Sequence, residues 1–294
     1  MRKGFSQKPR YTFGVLTTVA KDPFRSRYHA ELLSGIFRRL AASGHGLKIF
    51  APPLRPYRSL DEILRGQDLD GLLVLTWRWI HPEVARLIET ARHERVLVFN
   101  DPVPGLRVNH VYTDVAAGMA QAVAHLLKKK YRRIGMLRGP AEIPFRTGKK
   151  TVRVPFIDTR LKEHGFIRAL KAKGISCDRR WIRAGKANSE AEGHRVMKQW
   201  LREKKLPEAI VCGNDDLAFG ALAALRRTGR KIAVIGFDDL ERAKSFSPPL
   251  TTVRQPLVRM GMDAAGILIR QRETSAPEIL SRRYLPKLIV RKSA

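Results

Sequence analysis

Short apolar runs alternate along the chain with longer segments in which apolar residues recur every three or four positions. The strand-length runs are 13–16, 47–50, 71–76, 95–99, 134–137, 209–212, 232–237 and 284–290. The helix-period segments are 30–43, 60–64, 82–91, 115–127, 165–173, 190–203, 217–228 and 256–270. Strands that alternate with helices in this way predict βαβ units and parallel sheets with both faces covered.

The predicted helices and strands fall into two sets, with residues 138–158 between them. This segment is basic, contains proline and has no periodicity. We interpret it as the passage from one α/β lobe to a second, together with a surface loop. Residues 247–252 predict an extended crossover, because proline excludes helical geometry from the residue before it. The predicted division is a basic tail 1–10, an N-terminal lobe 11–139 plus 253–273, and a C-terminal lobe 140–252 plus 274–294.

Patterns typical of enzymes and of cofactor or metal sites are missing from the sequence. It contains neither of the glycine-rich phosphate-binding motifs, no nucleophile motif and no metal-like spacing among its 8 histidines. Cys177 and Cys212 are isolated and are predicted to be reduced, structural residues. We therefore predict a protein that is not an enzyme and that uses no cofactor and no metal ion.

Polar side chains follow two of the predicted strands in the second half. Asn214 and Asp215 come after the strand 209–212, and Asp238 comes directly after the strand 232–237. Open α/β sheets bind ligands at the carboxyl ends of their strands. Amide and carboxylate groups suit vicinal hydroxyls or a ring amide. The alternative is that Asp215 or Asp216 caps the helix predicted to begin near Leu217.

The charge balance is strongly basic. Lys and Arg number 57 against 27 Asp and Glu, which gives a formal net charge of +30. Such a field attracts polyanions, and nucleic acid is the usual candidate, although a solvated basic surface is the alternative. The sequence has no signal peptide and no run long enough to span a membrane. We expect a cytoplasmic protein with no membrane partner.

Several blocks resemble one family of regulators. They are Tyr28–Ile36, Leu69–Val74, Asn214–Ala221, Ile235–Asp239, Pro248–Pro256 and Leu285–Ser293. Their residues and their order are similar to those of the LacI/GalR transcriptional regulators, over residue 11 to the end. The block PPLTTVRQP at 248–256 is the most specific.

The resemblance implies a fold, a function and a set of site residues. The expected fold is α/β: two doubly wound parallel-sheet lobes joined by three crossovers, of the periplasmic binding protein-like type I. A sugar-like effector is expected in the cleft, where lobe closure in a homodimer controls DNA binding. The family's aromatic residue on the first helix corresponds to Tyr28, with His29 beside it, and its strand-end Asn and Asp correspond to Asn214 and Asp238.

Two departures from the family pattern bear on the ligand and on DNA. The family's ligand-gripping Arg is replaced by Lys162, so either Arg160 takes over or the ligand differs. The preceding segment is rich in Arg and Lys, which suits an anionic effector such as a sugar phosphate, although a solvated loop is the alternative. A helix-turn-helix does not fit before residue 11, so DNA contact is expected through a headpiece outside this chain or through the basic surface.

Two further functions stay open at this stage. The first is a solute-binding protein of a sugar transporter, which would share the fold. The second is a direct nucleic-acid binder, which would show binding that weakens steeply with salt.

Overall fold

A computed structural model describes much of the chain. The described residues are 10–17, 24, 27–51, 59–75, 84, 87–88, 92–99, 105–147, 150–226 and 228–294. The strands are β1 (Thr12–Thr17), β2 (Gly46–Phe50), β3 (Gly71–Leu75), β4 (Arg92–Val98), β5 (Arg107–Thr113), β6 (Ile134–Arg138), β7 (Glu142–Thr147), β8 (Lys150–Pro155), β9 (Ile182–Ala184), β10 (Ala209–Cys212), β11 (Ala233–Asp238), β12 (Thr251–Arg254), β13 (Ser281–Tyr284) and β14 (Lys287–Ile289). The helices are α1 (Arg27–Ala42), α2 (Leu60–Gly66), α3 (Val115–Lys128), α4 (Ile157–Lys171), α5 (Glu190–Trp200), α6 (Asp215–Leu225), α7 (Arg242–Ser245) and α8 (Leu257–Glu273).

The chain forms two units and passes between them three times. The first unit comprises residues 1–112 and 256–284, and the second comprises 113–255 and 285–294. Each unit contains a six-stranded sheet that is mostly parallel. This arrangement confirms the predicted fold class of two doubly wound lobes with three crossovers.

The first unit has the strand order β13-β5-β4-β3-β1-β2. Strands β1 and β3 are buried along almost their whole length, which agrees with their continuous apolar sequences. Helices α1 and α8 pack against each other at glycine positions, since a Cβ on Gly35 would lie 2.1 Å from the carbonyl oxygen of Val258. The helix predicted over 82–91 falls mostly outside the described residues.

The second unit has the strand order β14-β12-β11-β10-β6-β9. All neighbouring pairs are parallel except β12 with β14. Alternate residues of β10 and β11 contribute to two apolar clusters: Ile210 and Val234 belong to one, and Val211 and Ile235 to the other. The strands are therefore covered on both faces, as their sequences predict.

The structure differs from the predicted lobe boundaries. Residues 138–158 are not a passage with an irregular loop: strands β7 and β8 pair antiparallel inside the second unit. Pro144 within β7 and Pro155 at the end of β8 hide the alternation in the sequence, although proline is compatible with an edge strand. Residues 113–139 belong to the second unit, because α3 packs on α4 and β6 pairs with β10.

The last predicted strand is also divided. The run 284–290 becomes two strands, of which β13 belongs to the first unit and β14 to the second. The crossovers therefore follow Tyr112, Gln255 and Tyr284. Within the described ranges, no helix is long and apolar enough to cross a membrane, and no group of three or more His, Cys, Asp or Glu side chains is placed to hold a metal ion.

Candidate functional site

The candidate site lies at the carboxyl ends of β6, β10 and β11 in the second unit. The parallel register aligns Val211 of β10 with Met136 of β6 and with Ile235 of β11, so the residues that follow these strands share one edge of the sheet. Helix α4 places two further charged side chains, Asp158 and Lys162, against the same edge.

Lys162 is the buried cation of this site. The residue is only 4% exposed, and its Nζ donates a hydrogen bond to the carbonyl oxygen of Gly213 at 3.0 Å. The same Nζ lies 2.8 Å from Oδ2 of Asp158 and 4.2 Å from the ring centroid of Phe237. Burial by itself would lower the pKa of Lys162, but the carboxylates of Asp158 and Asp238 raise it above its usual value. Lys162 is therefore charged at neutral pH.

Asp238 ends β11 in an unusual backbone conformation. Its φ is +116°, a region that residues other than glycine rarely adopt and that often marks functional positions. Oδ1 accepts a hydrogen bond from Nε2 of Gln255 at 2.7 Å, and no described residue donates to Oδ2. Burial raises the pKa of Asp238 to about 7, against the opposing effects of Lys162 and Gln255. Oδ2 of Asp238 is thus an acceptor to which no described residue donates.

Asn214 follows β10 and begins α6. Its backbone is extended, and its Oδ1 accepts a hydrogen bond from the backbone N–H of Leu217 at 2.9 Å. Asn214 is therefore the helix cap, a role that sequence reasoning had offered to Asp215 or Asp216. Because the cap uses only the oxygen, the side-chain amide nitrogen keeps its two donors for another partner.

The carboxyl group of Asp215 makes hydrogen bonds within the second unit. It is fully buried; Oδ2 accepts from the backbone N–H of Leu240 at 2.7 Å, and Oδ1 accepts from Oγ1 of Thr252 at 2.5 Å. Burial, followed by the nearby charge of Asp238, raises its pKa well above the usual value. Asp215 connects the start of α6 to the segments after β11 and within β12. Both of its oxygens accept from internal donors, which favours a structural role, and its assignment as a ligand-binding residue stays a prediction.

Arg160 is not placed at the strand ends with Lys162. It is exposed on α4 and pairs with Glu142 of β7, with 2.9 Å between Nη2 and Oε1. One guanidinium that does lie at a strand end is that of Arg138, whose Nε is 2.6 Å from Oε2 of Glu163. Sequence reasoning missed Arg138, Asp158 and Gln255. The i,i+4 spacing of Asp158 and Lys162 would have indicated their pair if the helix had been predicted from 157.

Tyr28 and His29 belong to the first unit, in the first turn of α1. Their rings meet edge to face with centroids 5.6 Å apart. His29 is buried, and burial lowers its pKa to about 4, so its imidazole is neutral at neutral pH. Tyr28 is partly buried against the apolar cluster that contains α1 and α8.

The two α/β units and the polar side chains at the carboxyl ends of β6, β10 and β11 are typical of periplasmic binding protein-like domains. The family described as "Periplasmic binding protein-like domain" matches residues 123–294. The transcriptional repressor CytR of Escherichia coli K12 is 29% identical over 100% of this chain and 82% of its own length. The repressor PurR of Haemophilus influenzae is 25% identical over 96% of this chain and 81% of its own.

A solved complex of the transcriptional regulator CelR with cellobiose has the same fold. Its TM-score is 0.79 at 24% identity, with 96% of this chain and 84% of that chain covered. This chain belongs to the LacI/GalR family of transcriptional regulators, within which it is the periplasmic binding protein-like effector domain.

Proposed function

We propose that this domain binds a neutral, polyhydroxylated effector, a sugar or sugar derivative, and thereby controls the DNA binding of a LacI/GalR-type regulator. The observation that carries the proposal is Asp238, a half-buried carboxyl on strained backbone whose Oδ2 accepts from no described residue. A carboxylate accepts from a sugar hydroxyl, while the amide of Asn214 and the ammonium of Lys162 donate to one. The domain acts by binding, in the cytoplasm and as a homodimer, without a catalytic step.

The relatives support a regulator rather than a transport protein. CytR and PurR are both named as transcriptional repressors, and CelR was solved with cellobiose, a neutral sugar. A solute-binding protein of a transporter, the alternative function, has no such support.

The charges of the site favour a neutral effector over an anionic one. Two cations at the carboxyl ends of β6 and β10 already have a carboxylate partner: Lys162 pairs with Asp158, and Arg138 pairs with Glu163. Arg160, which would have suited a phosphate, pairs with Glu142 instead. A sugar phosphate would therefore have to compete with carboxylates that are already in place.

A ligand screen followed by a single substitution tests the proposal. Thermal shift with neutral sugars, sugar phosphates and nucleosides should identify a stabilising compound, because a ligand that binds the native state raises apparent stability. Calorimetry on Asp238→Asn should then show affinity reduced by about tenfold to a hundredfold, the value of a hydrogen bond to a charged group. Asparagine tolerates a positive φ, so this variant should keep the fold.

The matched control is Glu241→Gln, which neutralises an exposed carboxylate three residues away that pairs with Lys244 and with no other described residue. This variant should bind as the unsubstituted chain does. Unchanged affinity in Asp238→Asn would remove Asp238 from the site, and stabilisation by sugar phosphates alone would contradict the neutral class of effector.

A further inference from the structure

The second unit concentrates positive charge at the edge of its sheet opposite to the candidate site. Strands β6, β9, β10 and β11 begin at this edge, and the segments that lead into them are 128–133, 171–180, 198–208 and 226–231. We call these four segments the basic edge. The 32 of these residues that the structure describes hold 16 of the chain's 57 Lys and Arg but only 3 of its 27 Asp and Glu. About a ninth of the chain therefore carries +13 of the formal +30.

The four segments are adjacent in the structure. The backbone N–H groups of Glu208 and Ala209 donate to the carbonyl oxygen of Arg133, and the N–H of Ala233 donates to the carbonyl oxygen of Glu208. These bonds join the turns before β6, β10 and β11. Strand β9 pairs in parallel with β6, so the segment before it reaches the same edge.

Few of these charges are neutralised within the unit. Asp178 pairs with Arg180 at 2.7 Å, Glu208 pairs with Arg133 at 3.0 Å, and Glu203 pairs with Arg183 of β9. The exposed lysines of the edge make no ion pair with any described residue.

A purely structural explanation covers only part of the charge. Cations in the last turn of a helix are stabilised by its terminal carbonyl groups, and Lys128, Lys171 and Lys198 stand there. Lys204, Lys205, Arg230 and Lys231 lie in turns beyond the helices, where this effect is small. Their mutual repulsion is unfavourable unless a polyanion binds.

The composition of the edge indicates which polyanion. None of the exposed large apolar side chains among the described residues belongs to the four segments. Membrane-surface binding uses apolar residues that enter the lipid, and single-stranded nucleic acid is bound by stacking on exposed aromatic rings. Phosphate contact to a duplex needs only Lys and Arg.

We propose that the basic edge is a docking surface for the phosphate backbone of double-stranded DNA, used without reading the base sequence. It lies at the opposite ends of the strands from Asn214 and Asp238, so DNA and effector occupy separate surfaces of the second unit. The proposal does not depend on the identity of the effector.

Two charge-reversal variants with equal net charge test it. The edge variant combines Lys129→Glu, Lys130→Glu, Lys173→Glu, Lys204→Glu and Lys231→Glu. The control variant combines Arg38→Glu, Arg65→Glu, Arg107→Glu, Arg270→Glu and Lys287→Glu, which are exposed and lie outside the edge. Each reversal changes the charge by two, so both variants fall from +30 to about +20. Any difference between them then reflects position and not overall charge.

Fluorescence anisotropy with a random-sequence duplex at about 50 to 200 mM salt gives the readout. The unsubstituted chain should bind with an affinity that falls linearly with salt on logarithmic axes. The edge variant should bind about tenfold more weakly or worse and with a shallower slope, whereas the control variant should stay within about threefold. Single Lys129→Gln, Lys204→Gln and Lys231→Gln variants, which perturb folding least, should each lower the slope by about 1.

Three results would overturn the proposal. One is an edge variant that binds the duplex as tightly as the unsubstituted chain. Another is an equal loss in both variants, which would assign the binding to overall charge. The third is binding to phosphatidylglycerol vesicles in place of the duplex, which would assign the edge to a membrane surface. Thermal melting of each variant shows whether it is folded.

Discussion

The strand ends after β10 and after β11 carry the same chemistry in the sequence and different roles in the structure. Asp215 lies three residues beyond the end of β10 and Asp238 is the last residue of β11, and burial raises the pKa of both carboxyls. Asp215 accepts from two internal donors, whereas Asp238 accepts from Gln255 alone among the described residues. The number of internal donors to each carboxyl, and not burial or pKa, is therefore what distinguishes Asp215 from Asp238, the residue that we propose binds the effector.

The neighbouring residues explain this difference. Asp215 stands inside the first turn of α6, so its side chain reaches the segments that follow β11 and form β12. Gly236 leaves the space, since a Cβ there would lie 2.2 Å from Oδ1 of Asp215. Asp239, the residue directly after β11, pairs with Arg254 at 2.6 Å and with Arg291 at 2.7 Å. Of these three aspartates, only Asp238 has an oxygen, Oδ2, with neither a hydrogen bond nor an ion pair from a described residue.

The largest expected effect is on stability, from Asp215→Ala. Two buried donors, the N–H of Leu240 and the hydroxyl of Thr252, would lose their acceptor, which should cost about 3 kcal/mol of the free energy of unfolding. Urea denaturation gives this value. Glu241→Ala, which removes an exposed carboxylate, is the control and should cost less than about 1 kcal/mol. Equal losses in the two variants would mean that Asp215 does not hold the unit together.

A smaller effect is expected from pH, through Asp238. Its pKa of about 7 is raised above that of the unfolded chain, so the folded protein binds this proton more tightly. The contribution of Asp238 to stability is therefore full below about pH 4 and is lost as the pH rises through about 7. Effector affinity should change in the opposite direction, about tenfold tighter at pH 8 than at pH 6, because the carboxylate is the acceptor.

Calorimetry at several pH values checks this prediction, and Asp238→Asn should abolish the dependence. His29 does not contribute to the pH dependence, since its pKa is about 4 and its imidazole stays neutral between pH 6 and pH 8. Affinity that is independent of pH would show that the effector does not need the charged form of Asp238.

Sequence reasoning predicted the βαβ alternation, the two lobes and the strand-end positions, because apolar runs bounded by polar residues are local signals. It misplaced the first passage between lobes, because the β7–β8 pair contains Pro144 and Pro155 and looks irregular. It also could not tell Asp215 from Asp238. That distinction depends on Leu240, Thr252 and Gln255, whose positions only the tertiary structure gives.

The smallest expected effect on stability and on effector affinity is that of Arg160→Ala. This variant tests whether Lys162 or Arg160 replaces the family's arginine. Arg160 is exposed and pairs with Glu142, and surface pairs contribute about 0 to 1 kcal/mol, so stability should hardly change. Effector affinity should change by less than about twofold, because Arg160 makes no contact with Asp158, Lys162 or Asp238 among the described residues.

Lys162→Met, measured by calorimetry beside Arg160→Ala, should weaken effector binding by about tenfold or more, because it removes the buried ammonium that donates to a hydroxyl. A larger loss from Arg160→Ala than from Lys162→Met would move the ligand away from the strand ends and towards the β7–β8 pair.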